Sequence, residues 1–258
     1  MSASHRTDLA EHTTESFRAL ASAGRPVVAL VPVGSVEPHG PHLSLLTDVV
    51  ISRAACARAV SLLDERGVAA LIAPAVAYGV TDCATGFAGA VSIPADVLTA
   101  YLRAIVAGLR AAGCAHVCLV NNHLEPAHDA AVRAAIDGVP PGAASVACPL
   151  TRRWARTLSA EFKSGACHAG QYETSIVLAA APALVDEAAR ASLPPVPISL
   201  SEQLRAGVTT FAAMGMSSAY AGDPAAASAE EGEAQLAALA EMIATEVLEA
   251  IALTASRA

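Results

Sequence analysis

Residues 34–48 (GSVEPHGPHLSLLTD) place Glu37, His39, His42 and Asp48 in one short stretch, although the whole chain has only 8 histidines. Gly and Pro interrupt the stretch, so neither a regular helix nor a long strand runs through it. Glu37 and His39 are two apart, a spacing that puts both side chains on one side of an extended segment. His123 and Glu125 repeat that spacing further along. With Asp48 the chain offers two imidazoles and three carboxylates. Mixed sets of this kind suit zinc or manganese, and a carboxylate can bridge two ions. Two such ions, about 3.5 Å apart, can share a water and bring its pKa toward neutrality. The chemistry on offer is attack of an activated water on a carbonyl or amidine carbon.

A third cluster, CHAGQYETS (167–175), adds His168 before a helix start and Glu173 one turn inside it. A histidine beside an activated water can pass a proton to a leaving nitrogen. A glutamate in that position can orient an imidazole ligand. Asp48 taken alone is also a helix cap, and Glu37 and His39 taken alone are also solvated loop residues. His128, third in its helix, reads as facing solvent or capping, and His116, at the start of a strand, as structural. HLEPAH (123–128) lacks the spacing of the single-zinc protease motif. No Pro-Cys-x-x-Cys follows to make a zinc deaminase, and no Gly-x-Ser-x-Gly elbow surrounds Ser35. Leu124, Trp154 and Tyr172 are the candidate substrate contacts. For Trp154, the only tryptophan, a core or oligomer contact is the competing reading.

The elements that must position these residues alternate. The apolar run 26–33 (PVVALVPV), with 68–76, 116–122 and 144–150, reads as strands buried on both faces. Helical spacing covers 8–23, 48–66, 95–112, 126–136, part of 170–185, and 226–254. Gly24, Gly67 and Gly113 act as stops, and Pro126 stands in a first turn. Strand–helix alternation predicts an α/β fold with a mainly parallel sheet covered on both faces. In such sheets ligands bind beyond the carboxyl ends of the strands. The segments after the first and third strands, which carry Glu37–His39 and His123–Glu125, should therefore share one rim. Residues 194–224, rich in Pro, Gly and Ser, read as a lid or an oligomer contact. No repeat or linker divides the chain, so a single domain over 1–258 is expected.

A net charge of −8 argues against binding nucleic acid or anionic membrane surfaces. No apolar run reaches the roughly 18 residues of a membrane span. The polar N-terminus lacks the signal-peptide pattern, which predicts a cytoplasmic protein. The scattered cysteines, without a second pair to complete a zinc site, read as small buried apolar residues.

With these segments laid out, the chain resembles the creatininase (creatinine amidohydrolase) family from about residue 26 to about 250. VPVGSVEPHGPHLSLLTD carries the most specific part of the resemblance, and VNNHLEPA, HAGQYETS and YAGDPAAASAEEGE follow in the family's order. The resemblance implies a three-layer α/β/α sandwich. It implies two divalent ions, zinc and/or manganese, on Glu37, His39, Asp48, His123 and Glu125, with Asp48 bridging. It makes His168 the catalytic proton shuttle and Glu173 the acid of the third segment. It also implies a homo-oligomer, commonly a hexamer. Asn122 stands where many relatives have glycine, and Ala84 and Ala88 alter a segment that in many relatives carries a histidine and a proline. These differences predict a changed substrate pocket.

The activity expected is hydrolysis of a C–N bond in a small, possibly cyclic amide by a metal-activated water. A formamidopyrimidine nucleotide and a small peptide-derived cofactor precursor are alternative substrates. A metal-binding scaffold without turnover is the alternative outside catalysis.

Overall fold

A computed structural model describes residues 6–255 of the chain. Its sheet has four parallel strands in the order β2-β1-β3-β4, where β1 is Val27–Val33, β2 Ala69–Ile72, β3 His116–Asn121 and β4 Ala144–Ala147. The register pairs Val27 with Ala69, Val28 with His116 and Val117 with Ala144. Every residue of β1 and β3 is buried, which the continuous apolar run of β1 requires. The strand period of two sends Val28 and Leu30 of β1, with Cys118 and Val120 of β3, into one core. Ala29, Val31 and Val33, with Val117 and Leu119, enter the other.

Helices fill both sides. They run in chain order as α1 (Thr14–Ala21), α2 (Thr47–Glu65), α3 (Ala95–Ala111), α4 (Pro126–Ala134), α5 (Arg152–Ala155), α6 (Ala160–Ser164), α7 (Gln171–Ala180), α8 (Glu187–Ser192), α9 (Leu200–Arg205) and α10 (Ala229–Ala255). Ile51 of α2, Ile176 of α7 and Leu239, Ile243 and Val247 of α10 cover the first face. Leu20 of α1, Leu98, Leu102 and Val106 of α3 and Val132 of α4 cover the second. The α/β/α sandwich is thus the observed fold. The ends of the single-domain expectation, residues 1–5 and 256–258, lie outside the described residues. No helix of the described residues is long and apolar enough to cross a membrane.

Boundaries move where backbone donors run out. The strand expected over 68–76 stops at Ile72, because Pro74 has no N–H for the ladder; pairing resumes only as a bridge between Val33 and Val76. The helix expected over 8–23 breaks into a 3-10 turn at Leu9–Glu11 and α1. Thr13 and Ser16 form the reciprocal cap that starts α1. Residues 194–224 include α9 and a third apolar cluster around Phe211, Met214 and Met216.

A half-buried carboxylate ties the third motif segment to the Gly-Asp-Pro segment. Glu161 of α6 accepts the backbone N–H of Tyr172 at 2.7 Å and that of Asp223 at 2.7 Å. Two separate segments, the start of α7 and the loop before α10, are thereby held by one side chain. Gly222 makes room for it. Its φ is +101°, and a Cβ there would lie 2.1 Å from Glu161 Oε1. The Gly of that motif thus serves α7, which carries Glu173. Gly222→Ala should lower stability by about 1–3 kcal/mol, read as a shift in the urea midpoint. An unchanged midpoint would remove the Glu161 clamp from this account.

Candidate metal centre

The three chemistry-bearing segments meet at the carboxyl end of β1 and β3, where a parallel sheet leaves its loops. Glu37 and His39 lie in the loop after β1, Asp48 is the second residue of α2, and His123 follows β3. His168 precedes α7 and Glu173 sits in its first turn. Gly34 lets α2 start against the end of β1, since a Cβ there would meet Asp48 Cβ and Val49 N at 2.8 Å. All six side chains are buried.

Asp48 is the centre of the cluster. Its Oδ1 is 3.2 Å from His39 Nε2 and its Oδ2 is 3.0 Å from His123 Nδ1. Ser35 Oγ donates to Oδ2 at 2.8 Å. Glu37 Oε1 lies 3.2 Å from His123 Nδ1, 3.8 Å from His39 Nε2 and 3.7 Å from His168 Nδ1. Glu173 Oε2 lies 3.5 Å from His39 Nε2 and accepts the Ala169 N–H at 2.6 Å. Ala169 has φ +51°, an uncommon conformation for a residue with a side chain, and the turn it makes aims this N–H at Glu173. Thr81 Oγ1 donates to Glu37 Oε2.

Each imidazole is oriented from behind. His39 Nδ1 lies 3.1 Å from the Glu37 carbonyl, His123 Nε2 2.7 Å from the Val80 carbonyl, and His168 Nε2 3.0 Å from the Pro38 carbonyl. A carbonyl only accepts, so these far nitrogens carry the protons. The near nitrogens then face carboxylate oxygens with lone pairs, an arrangement that needs a positive charge between them. His39 Nε2 is buried without a hydrogen-bond partner among the described residues.

Protons can fill that need by charging the rings or by neutralising a carboxylate. Burial opposes a charged ring at His39, but the carboxylates of Asp48, Glu173 and Glu37 push its pKa up to about 10. Burial likewise opposes charge on His123, and Glu37 and Asp48 drive it well above the usual imidazole range. Burial works against ionised Asp48, yet His39 and His123 hold it well below the usual carboxylate range. Glu173 goes the other way, as burial outweighs His39 and pushes it up to about 8. His168 is kept neutral by burial and the nearby His39, which bring it down to about 4.

Oxygen and nitrogen donors without sulfur, oriented imidazoles and a surplus of carboxylate charge are what divalent zinc or manganese takes. Three donor groups close enough to hold an ion are present among the described residues: Glu37, Asp48 and His123; His39, Asp48 and Glu173; and Glu37, His39 and His168. The donor set therefore fits the metal reading.

Several sequence readings change. Glu125, expected among the ligands, stands apart from these groups. Its Oε1 accepts the Asp82 N–H and its Oε2 the Cys83 N–H, both at 3.1 Å. Burial raises its pKa. Glu173, expected behind an imidazole, lies among the donors instead. Trp154, expected at the substrate, is not among the residues that line the cavity over the cluster. It packs in the core beside α10 and its Nε1 donates to Glu246 at 2.6 Å, while Arg153 covers its ring at 4.5 Å. Tyr172 is core as well, with its ring edge-on to Phe162 at 4.8 Å. Leu124 does line the cavity. His128, expected at solvent, is fully buried. His42 bonds Thr174 Oγ1 at 2.8 Å, and His116 bonds Gly142 O and Ser145 Oγ at 2.9 Å. Thr81 carries no signal in the sequence, since only the folded chain brings it to Glu37.

Above the cluster lies a cavity of about 530 Å³. Glu37, Asp48, His123, Glu125, His168 and Glu173 form its floor. Leu124, Leu150, Leu204, Phe211 and Met214 form an apolar wall, so residues 194–224 supply part of the enclosure. The Trp154 placement predicts that Trp154→Phe leaves kcat/KM unchanged but costs about 0.5–1.5 kcal/mol for the lost hydrogen bond. Steady-state kinetics and thermal unfolding read the two effects. A large rise in KM with unchanged stability would return Trp154 to the substrate.

The Creatininase family profile, described as creatinine amidohydrolase, matches residues 10–247. The mycofactocin precursor peptide peptidase of Mycobacterium tuberculosis is 33% identical over 224 residues, 82% of this chain and 81% of that protein. The creatinine amidohydrolase of Pseudomonas putida is 31% identical over 120 residues, 45% of this chain and 44% of that protein. A solved structure titled creatininase Mn has a TM-score of 0.71 at 23% identity, covering 95% of this chain and 98% of that one. A creatininase variant titled as of Zn-Zn type gives 0.70 at 23%, with coverage of 95% and 98%. The chain therefore belongs to the creatininase family of amidohydrolases and is a hydrolase acting on carbon–nitrogen bonds.

Proposed function

We propose that the chain holds two divalent cations, zinc or manganese, and hydrolyses an amide C–N bond in a small peptide-derived substrate. The observation that carries the reading is the buried meeting of His39 Nε2 and His123 Nδ1 with the two oxygens of Asp48. Glu37, Asp48 and His123 would hold one ion, and His39, Asp48 and Glu173 the other, with Asp48 shared. Glu173 would take the ligand place that spacing and the family resemblance give to Glu125. Bound there, the ions would supply Lewis acidity toward the scissile carbonyl and lower the pKa of a water.

The chain's own groups manage the protons. The Glu125 carboxylate is fixed by two backbone N–H groups at the cavity floor, and burial raises its proton affinity. It takes a proton from the attacking water. His168 keeps its Nε2 proton on the Pro38 carbonyl, which leaves Nδ1 as the atom that receives a proton and passes it to the departing nitrogen. The water oxygen joins the carbonyl carbon, the C–N bond breaks, and acid and amine leave. The apolar wall of the cavity excludes bulk water from the exchange.

Two observations favour a peptide-derived amide over creatinine. The peptide peptidase relatives align with about four-fifths of the chain, the creatinine amidohydrolase with less than half. The cavity is large and walled by aliphatic and aromatic side chains rather than shaped to one small ring. A formamidopyrimidine nucleotide fits less well, since its phosphates would meet a floor of carboxylates, and the cavity's Arg133 is already paired with Asp129 at 2.8 Å. A cytoplasmic homo-oligomer, a hexamer by family resemblance, belongs to the same proposal. Exposed Tyr78 and Tyr101, grouped beside Ile93, support a covered face.

Two substitutions separate the roles. Glu173→Gln should lose one of the two ions by elemental analysis. Glu125→Gln should keep both ions, while turnover of short N-acyl and peptide amides falls about 10²–10⁴-fold. The reverse pattern would exchange the two assignments, and a metal-loaded chain that hydrolyses no amide in such a panel would end the substrate reading.

A further inference from the structure

Residues 79–83 (GVTDC) lie outside the named strands and α-helices, with Asp82 and Cys83 in a 3-10 turn, yet they serve much of the site. Thr81 Oγ1 donates to Glu37, the Val80 carbonyl takes the His123 Nε2 proton at 2.7 Å, and the Asp82 and Cys83 N–H groups hold Glu125. The segment must itself be held. One side is fixed by the strand-like bridge of Gly79 to Ser92, where the Ile93 N–H donates to the Gly79 carbonyl at 2.9 Å and the Thr81 N–H to Ser92 Oγ at 3.0 Å. The other side is fixed by a side chain that the reaction does not use, His128 of α4.

The His128 ring is fully buried and its Nδ1 accepts the Val80 N–H at 3.2 Å. An acceptor nitrogen carries no proton, so His128 is neutral with its proton on Nε2, which is buried without a hydrogen-bond partner among the described residues. The ring also stands edge-on to His123, with centroids 4.5 Å apart at 78°. Val80 is thus pinned from both sides by two histidines. His128 takes its N–H, and His123 gives its own proton to its C=O. Gly79 makes the contact possible, since a Cβ there would lie 2.4 Å from His128 Nδ1 and Cε1. Leaving an imidazole nitrogen buried and unpaired costs stability, so the ring is retained against a local penalty.

We propose that His128 is a positioning residue that, through Val80, fixes His123 with its proton on Nε2 and its Nδ1 toward Asp48 and Glu37. Without the His128 acceptor, the Val80 carbonyl loses its fixed direction, and His123 is free to rotate or to take the other tautomer. The inference rests on the metal reading for its consequence but on hydrogen bonds alone for its geometry.

The test compares His128→Phe, which keeps a ring but no acceptor, with His128→Asn, whose Oδ1 can still accept from Val80. Cobalt(II) is the probe, with affinity measured by chelator competition and geometry by visible absorption. In the metal-free chain, side-chain ¹⁵N shifts report the His123 tautomer. His128→Phe should weaken cobalt binding about 10- to 100-fold, change the absorption spectrum and mix the His123 tautomers. His128→Asn should lie closer to the unsubstituted chain in all three. Gly79→Ala, which displaces the His128 ring without changing its chemistry, should reproduce the Phe result and serves if that variant does not fold. A folded Phe variant with unchanged affinity, spectrum and nitrogen shifts overturns the proposal, as does an Asn variant as impaired as Phe. If the unsubstituted chain takes up no cobalt, the metal reading fails, and the His123 nitrogen shifts then decide the role of His128 by themselves.

Discussion

Three carboxylates, Glu37, Asp48 and Glu173, are buried together at one sheet edge, and everything around them answers that charge. A lone buried carboxylate is too costly to keep ionised, and several are more costly still. The chain meets the cost with imidazoles whose far nitrogens are tied to carbonyls and with N–H and hydroxyl donors from Ala169, Ser35 and Thr81. None of these supplies a permanent positive charge, and among the described residues no Arg or Lys is paired with these three carboxylates. The balance is left to protons on His39, His123 and Glu173 or to cations in their place. This is why a metal reading follows from the packing itself and does not depend on the motif alone.

The site is divided between rigid and irregular parts. The strands and α2 set the positions of Glu37, Asp48 and His123, because β1 and β3 are buried on both faces and cannot shift without emptying two cores. The orientation of those side chains comes from elsewhere. It is set by carbonyls of residues 37, 38 and 80 and by the segment 79–83, none of which lies in a strand or α-helix. Position from the sheet and direction from the loops is a way to hold donors within a few tenths of an ångström while leaving a cavity above them.

The legible part of the sequence follows the same division. The buried parallel strands announced themselves as continuous apolar runs, and the motif residues stood at the ends of those runs, so both the sandwich and the common rim could be read in advance. Spacing sets Glu125 apart as a ligand and Glu173 as an orienting acid, but it gives the side of an extended segment and not the partner waiting there. Only the fold shows that Asp82 and Cys83 N–H groups already occupy Glu125, while Glu173 in the first turn of α7 reaches His39. His128 failed for a similar reason. A polar residue near a helix start reads as solvated, and nothing local signals the Gly79 opening that admits its ring. Trp154 and Tyr172 pack in the core, a place that large aromatics fill as readily as a pocket wall.

The roof of the cavity carries a different constraint from its floor. The Phe211 ring lies 4.3 Å from His168, and the Phe211 N–H donates to the Cys83 carbonyl at 2.8 Å. The irregular segment 194–224 is therefore anchored to both His168 and the 79–83 segment, which runs on into Ala84. Ala84 is fully buried in the same small cluster as Phe211 and Met214. A larger side chain at 84 would need that cluster to open, so the small residue and the apolar roof go together. Changes of substrate in such an arrangement fall on the roof and its anchor, where volume and polarity can vary. The floor is held by a charge balance in which each group depends on the next, so the reaction stays fixed while the substrate it meets is set above it.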